Sequence, residues 1–264
     1  MRVMGIPVSR IDCRDVAQAR GFTRTDLLAL LGVGAVLMLI QFTAVAYTRG
    51  NSNRATCASN LRRLTLSWLM YADDNRDRLA PNLNGGNPLS LTNNWVGGIL
   101  DFSSSSANTN LAMITQARLY PYNKATEIYR CPDDLSVSRG QLRIRSYSMN
   151  GWVGDGVAAW ISGYQVATNR SQIRQPDHMF VFMEEHPESI NDGLVIVDPS
   201  PSGQIVDYPA SYHQFGAHFG FADGSVQYQA WVDPRTSPSH ITIGGPSPNN
   251  PDMLWMKSIA TYRK

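Results

Sequence analysis

The residues best suited to chemistry lie in the C-terminal half of the chain. Nine residues separate His213 from Asp223-Gly224, and the acidic residues Glu184, Glu185 and Asp192 lie upstream. If these side chains met on one rim, they could bind a cation or a polar ligand. A site made of oxygen ligands would take calcium as its cofactor. A site with a histidine ligand would favour a transition metal instead. The candidate ligands are therefore His213, Asp223, Glu184 and Glu185.

The same residues also have a structural interpretation, which we favour. Asp223 would make a turn, Gly224 would supply the positive φ that the turn needs, and His213 would cap a loop through a hydrogen bond. The chain contains no Gly-x-Ser-x-Gly, His-Glu-x-x-His or Cys-x-x-Cys motif, so no known hydrolytic or redox pattern accompanies these residues. We expect a protein that is not an enzyme. Its net charge of +2 is too small to indicate a nucleic-acid partner.

The sequence around Asp223-Gly224 predicts a β-hairpin. Aromatic and β-branched residues alternate on both sides of this dipeptide, which is typical of a type I′ turn. In that register Phe221 pairs with Val226 and Phe219 pairs with Tyr228, with all four on the core face.

Other segments place these residues in a β-rich body that begins near residue 79. Apolar runs bounded by turn residues predict strands within 145–154, 178–186 and 193–198. Segments 91–99 and 127–134 are read as a strand and a strand end, and 111–119 as a short helix. Upstream, the spacing of Leu61, Leu64, Trp68 and Ala72 predicts an amphipathic helix over 49–78. The expected class is α+β, with a long N-terminal helix packed on a β-rich domain.

The longest apolar segment lies near the N-terminus. Residues 27–47 are 21 consecutive uncharged residues, which as a helix would be about 31 Å long and would match a hydrocarbon core of about 30 Å. This predicts a single-pass membrane anchor. Asp26 immediately precedes the segment, and a carboxylate in the bilayer costs about 2.5–3.5 kcal/mol on insertion scales. It therefore needs a partner.

The sequence Arg-Gly-Phe-Thr-Arg-Thr-Asp-Leu-Leu, residues 20–28, resembles the processing site of type IV prepilins and type II secretion pseudopilins. The resemblance implies that a prepilin peptidase cuts after Gly21 and N-methylates Phe22. The fifth mature residue of the family is usually glutamate, and here it is Asp26, which keeps the charge. Its carboxylate would pair with the new α-amine of a neighbouring subunit.

The His-x9-Asp-Gly spacing resembles a prepilin-processing-associated domain, and together the two resemblances imply the organisation of the whole chain. Residues 1–21 would be a leader, 22–48 a transmembrane helix, 49–78 a stalk helix and 79–264 the globular domain. The expected protein is a non-catalytic subunit of a type II secretion or type IV pilus-like system. It would lie in the bacterial inner membrane with a periplasmic body, and its partners would be prepilin peptidase, other pilin or pseudopilin subunits and membrane lipid.

Two alternatives concern ligands and redox state. The pilin route could instead display an envelope domain that binds a cation or a glycan, and Trp95, Trp152 and Trp160 are candidates for stacking on sugars. Removal of the leader would leave Cys57 and Cys131. These could form one disulfide in an oxidising compartment, or they could be two small buried apolar residues.

Overall fold

The computed structural model describes residues 22–83, 92–154, 161–201 and 204–264. Within these ranges the helices are α1 (Arg24–Asp74), α2 (Ala112–Thr115), α3 (Tyr120–Asn123) and α4 (Pro251–Ala260). The strands are β1 (Val137–Ser138), β2 (Gln141–Leu142), β3 (Tyr147–Asn150), β4 (Phe180–Glu184), β5 (Leu194–Val195), β6 (Gln204–Ile205), β7 (Gly216–Phe221), β8 (Val226–Ala230) and β9 (Gly245–Pro246). The fold is mixed α+β, as predicted, and it divides into two compact units between Thr48 and Arg49.

The N-terminal part of α1 is the apolar segment. Its 18 residues Arg24–Gln41 have a mean hydropathy of 1.6, and none of them is buried within the protein. This length and composition are sufficient to cross a membrane. The described residues therefore contain one candidate membrane span, near the N-terminus.

The C-terminal part of α1 is amphipathic, and the predicted stripe is confirmed. Leu61, Leu64, Trp68 and Ala72 are fully buried, because spacings of three and four residues place them on one face of a helix. The helix approaches the sheet closely. A Cβ atom added at Gly220 in β7 would lie 2.4 Å from Oγ1 of Thr65, so the contact requires a glycine there.

The central sheet has five strands in the order β5-β3-β4-β7-β8. Strand β3 is antiparallel to β4 and parallel to β5, and β7 is antiparallel to both β4 and β8. One face contributes Tyr147 and Phe182 to a core shared with α1. The other face contributes Phe219 and Phe221 to a core shared with α4. The sheet is thus covered by a helix on each side.

The register of the β7–β8 hairpin differs from the prediction by one residue. His218 pairs with Tyr228, and Phe219 pairs with Gln227 rather than Tyr228. Because successive side chains of a strand point to opposite faces, this shift moves Tyr228 to the face of His218. The two rings are in contact, with centroids 5.4 Å apart.

The cause of the shift is the turn, for which the type I′ prediction is wrong. The N–H of Phe221 donates to the carbonyl of Ser225, and the N–H of Gly224 donates to the carbonyl of Phe221, each at 2.9 Å. The loop therefore has three residues, 222–224, and Gly224 has a φ of +89°. This matches a type I turn followed by a glycine in the left-handed region.

Among the other predicted elements, β3, β4, β5 and α2 confirm the strands within 145–154, 178–186 and 193–198 and the short helix within 111–119. Two strand predictions are wrong. Residues 92–99 form irregular turns, and Glu127–Tyr129 is a 3-10 helix. Helix α4 was not expected from its sequence. It begins at an Asn250 cap, whose side chain accepts from the N–H groups of Asp252 and Met253.

The packing of α1 predicts unequal effects for two leucines on the same helix. Leu64 is fully buried, whereas Leu66 is 44% exposed. We expect Leu64→Ala to lower the free energy of unfolding by about 2–5 kcal/mol, and Leu66→Ala to change it by no more than about 0.5 kcal/mol. Chemical denaturation of the detergent-solubilised protein measures both. Equal losses would contradict the buried stripe.

Candidate functional site

A buried carboxylate lies at the centre of the candidate site. Glu184 is the last residue of β4, and it is fully buried. Its Oε1 lies 2.9 Å from Nε2 of His213. Its Oε2 accepts a hydrogen bond from the backbone N–H of His218 at 2.7 Å. A carboxylate without hydrogen-bond partners would be costly to bury. These two contacts supply the partners that Glu184 needs.

The loop that carries His213 leads directly into β7. The two residues after His213, Gln214 and Phe215, have φ values of 51° and 56°, which turn the chain sharply before the strand. The hydroxyl of Tyr228 donates to the carbonyl of His213 at 2.6 Å. On the ring, Nδ1 lies 3.0 Å from Oδ2 of Asp133. The imidazole therefore lies between two carboxylates, with Nδ1 near Asp133 and Nε2 directed at Glu184.

The thiols of Cys57 and Cys131 lie beside the contact between Glu184 and His213. Sγ of Cys57, on α1, contacts Oε1 of Glu184 and lies 2.8 Å from the hydroxyl of Tyr147. Sγ of Cys131 lies 3.3 Å from Nε2 of His213. Both cysteines are buried and free. The structure therefore contains neighbouring thiols rather than a disulfide. Burial of both residues agrees with the interpretation of the cysteines as two small buried apolar residues.

Four of these side chains form a compact set of metal-binding donors. One ligand atom from each of Cys57, Glu184, His213 and His218 lies within 4.8 Å of the other three, and all four residues are buried. Thiolate, carboxylate and imidazole are the groups that bind zinc in proteins. Calcium takes six to eight oxygen ligands, so this set fits a transition metal better than calcium.

The ionisation of the cluster follows from its contacts. Burial raises the pKa of Glu184, but the hydrogen bonds and charges of His213 and His218 outweigh it and hold the pKa at about 2. Burial lowers the pKa of His213, but hydrogen bonds with Cys131 and Glu184 raise it to about 10. Burial also raises the pKa of the Cys57 thiol. Without a metal the cluster is thus an ion pair between Glu184 and His213, beside a neutral Cys57.

The structure brings together two of the four predicted ligands. Glu184 and His213 meet, whereas Asp223 is exposed in the hairpin turn, where its Oδ1 accepts from the N–H of Ser225 at 2.8 Å. Glu185 turns away from Glu184 and accepts from the hydroxyl of Ser189 at 2.8 Å. The inclusion of Asp223 and Glu185 in one site is therefore wrong, and the structural interpretation of Asp223 as a turn residue is confirmed.

Sequence reasoning does not find Cys57, Cys131 and His218 as donors. Cys57 is 127 residues from Glu184 along the chain, and no local pattern connects them. For His218 a weak signal exists. It shares a face of β7 with Gly220, on the opposite side from Phe219, and a histidine beside a glycine on a buried strand indicates close approach by another element.

The predicted glycan-stacking surface is not present at two of its three tryptophans. Trp95 and Trp152 are fully buried. Their indole N–H groups donate to the carbonyls of Gly193 and Val197, each at 2.9 Å. Their faces are therefore part of the core and cannot stack on a sugar. Trp160 lies outside the described residues.

The N-terminal processing segment is described from Phe22 onward, and Gly21 and the predicted leader lie outside the described residues. Phe22 is 67% exposed. The N–H of Thr23 donates to Oδ2 of Asp26 at 2.9 Å, and the N–H of Asp26 donates to Oγ1 of Thr23 at 3.2 Å. These reciprocal bonds are a capping box at the start of α1. Asp26 thus has a local role as a capping residue of α1.

Comparison with known proteins identifies no relative. No protein family, no curated protein and no solved structure matches the chain. The function therefore has to be inferred from the chemistry and the placement of the residues themselves.

A second buried polar cluster surrounds Glu185. Arg145 is fully buried and donates to the carbonyl of Asp192. Asp207 is half-buried, and its Oδ2 accepts from the N–H of Ile196 at 2.6 Å. Burial, reinforced by the charge of Asp192 and only partly offset by the Ile196 hydrogen bond, raises the pKa of Asp207 to about 7.

This raised pKa predicts a pH-dependent stability. Between about pH 4 and pH 7 the folded protein keeps a proton on Asp207 that the unfolded chain has lost, so the free energy of unfolding falls as the pH rises. Asp207→Asn removes the ionisation and keeps an acceptor for Ile196. We expect the variant to be more stable than the parent by about 1–3 kcal/mol above about pH 8.

Chemical denaturation at about pH 4 and about pH 8 tests this expectation, because the difference between variant and parent should grow with pH. Asp74→Asn, at the exposed end of α1, is the control and should show no such growth. A difference that stays constant with pH would mean that Asp207 ionises normally.

Proposed function

We propose that the chain is a membrane-anchored, pilin-like subunit of a type II secretion or type IV pilus-like system, with a structural rather than a catalytic role. The observation that carries the proposal is the composition of α1. This single helix begins with an apolar segment long enough to span a membrane, and it ends with an amphipathic segment whose stripe is buried in the body. A subunit whose single helix both anchors it in lipid and packs against its own body needs an apolar segment and an amphipathic segment.

The residues before the apolar segment support the same proposal. Phe22 and Asp26 stand one and five positions after Gly21, in the arrangement that resembles a prepilin processing site. Cleavage after Gly21 would create an α-amine at Phe22, which is cationic below a pKa of about 8. That amine is the partner that a carboxylate near the bilayer requires. In this proposal a prepilin peptidase and neighbouring subunits are the partners, and the body is periplasmic.

The closed nature of the buried cluster also favours a structural subunit. Glu184, His213 and His218 are each no more than 3% exposed. A substrate could not reach them without displacement of α1 or of the loop at His213. The cluster therefore stabilises the body and does not present reactive groups at its surface.

The proposal predicts the N-terminus of the mature protein. When the full chain is co-expressed with a prepilin peptidase and extracted from membranes, we expect it to start at N-methylated Phe22. Intact mass and N-terminal sequencing measure this. Gly21→Ala should remain largely uncut, because the peptidase acts after a glycine, whereas Gly34→Ala, within the apolar segment, should be cut normally. A start at Met1 in the parent chain would contradict the proposal.

A second prediction separates the two roles of Asp26. Asp26→Asn should permit cleavage but reduce cross-linking to neighbouring subunits by about tenfold or more, since a hydrogen bond to a charged group contributes about 1.5–3 kcal/mol. Thr23→Ala is the matched control, because it breaks the capping box and keeps the carboxylate. It should assemble nearly as well as the parent.

Chemical cross-linking of membranes, followed by detection of oligomers, compares the two variants. An equal loss in Asp26→Asn and Thr23→Ala would assign the effect to helix capping. Normal cross-linking of Asp26→Asn would exclude the charge pairing, and the cleavage result would still stand on its own.

A further inference from the structure

We propose that Cys57, Glu184, His213 and His218 bind one transition-metal ion, zinc in particular, inside the body. The four residues come from different parts of the fold. Cys57 belongs to α1, Glu184 to β4, His218 to β7, and His213 to the loop before β7. The proposal goes beyond the function proposed above and does not depend on it, because the site lies within one chain.

The four donors lie close enough together to share one ion. Zinc bonds of about 2.0 Å to nitrogen and oxygen and about 2.3 Å to sulfur place the ligands about 3.3–3.8 Å from one another. Here Nε2 of His213 lies 2.9 Å from Oε1 of Glu184, and no two of the four ligand atoms are more than 4.8 Å apart. Small side-chain movements would bring these donors to the separations that zinc requires, and four protein ligands leave no open position, which is typical of a structural zinc site.

The charges of this set balance. A Cys57 thiolate and a Glu184 carboxylate contribute two negative charges, and two neutral imidazoles contribute none, so a divalent cation makes the buried site neutral. Neutrality matters because an uncompensated charge is costly in the protein interior. With Cys131 as an additional thiolate the site would carry one negative charge. We therefore place Cys131 beside the site rather than among its ligands.

A buried nitrogen of His218 without a hydrogen bond is consistent with a ligand at this site. Nδ1 of His218 makes no hydrogen bond within the part of the chain that the structure describes, although it lies 3.4 Å from Oε2 of Glu184. His218 is only 3% exposed. Buried polar groups without a hydrogen bond are rare in folded proteins. A metal bond to Nδ1 of His218 would account for this atom.

Groups around the donors orient them as metal ligands usually are. Oδ2 of Asp133 lies 3.0 Å from Nδ1 of His213 without the geometry of a hydrogen bond, and a carboxylate near the far nitrogen of a ligating histidine is a frequent arrangement at zinc. Asn53, on α1, donates to the other oxygen of Asp133. The hydroxyl of Tyr147 lies 2.8 Å from Sγ of Cys57, in position to donate to a thiolate.

A small pocket lies beside one of the four donors. A pocket of about 100 Å³ is lined by Arg54, Asp133, Tyr212 and His213, among other residues, and it reaches the edge of the His213 ring. Metal binding there would join α1 to β4 and β7. Because the ion would bind the folded state, it would stabilise the body against unfolding.

The test is metal analysis of the full chain in detergent micelles. The protein is treated with a chelator, exposed to excess zinc chloride, freed of unbound metal and analysed by mass spectrometry for zinc per chain. We expect about one zinc ion in the parent and less than about a tenth of that in Cys57→Ser and His213→Ala. His240→Ala, which changes an exposed histidine, and Cys131→Ser should keep full zinc content.

A second measurement does not depend on variants that could fail to fold. Cobalt chloride added to the chelator-treated parent should give the visible bands of a tetrahedral ion and a thiolate-to-cobalt absorption, and zinc should remove both. Zinc should also raise the melting temperature of the parent. Absence of bound zinc and of cobalt bands in reduced, folded parent protein would overturn the proposal, as would a disulfide between Cys57 and Cys131 in protein that still unfolds cooperatively. Full loss of zinc in Cys131→Ser, with Cys57→Ser unaffected, would overturn the ligand assignment.

Discussion

Burial of the Glu184 carboxylate is the constraint on which the rest of the body depends. A carboxylate in the interior has to be compensated by hydrogen bonds and by positive charge. Here the compensation comes from the ring of His213 and the backbone of His218, and the thiol of Cys57 closes the remaining side. Helix α1, strand β7 and the loop at His213 must therefore reach one point at the end of β4. The close contact between Gly220 and Thr65 shows how tightly α1 is held against the sheet at this face.

This arrangement explains the nine-residue spacing between His213 and Asp223-Gly224. It spans the length of β7, and its two ends perform different tasks. At one end, His213 enters the buried cluster through a loop with two residues of positive φ. At the other end, Gly224 closes the hairpin that returns along β8. The spacing is therefore set by the strand between a buried site and a turn, and the side chain of Asp223 contributes to the turn.

Helix α1 has an apolar segment and an amphipathic segment, which depend on different features of the sequence. Its apolar segment is defined by composition, since 18 residues with a mean hydropathy of 1.6 are long and apolar enough to cross a membrane. Its amphipathic segment is defined by packing, since Trp68 and the other apolar residues of the stripe are buried against the sheet. Cys57 belongs to the second segment and lies on the side of α1 that meets Glu184. The same helix that carries the candidate membrane span thus also closes the buried cluster.

The sequence by itself determined the apolar segment, the buried stripe of α1 and strands β3, β4 and β5. These are local signals, because hydropathy and periodicity act over a few residues. Only the tertiary structure decided the register of the β7–β8 hairpin, which depends on one additional loop residue before Gly224. It also decided that Glu184 rather than Glu185 faces His213, and that Cys57, Cys131 and His218 join them. Convergence of side chains up to 127 positions apart is set by the packing of a helix on a sheet, and no short stretch of sequence contains that information.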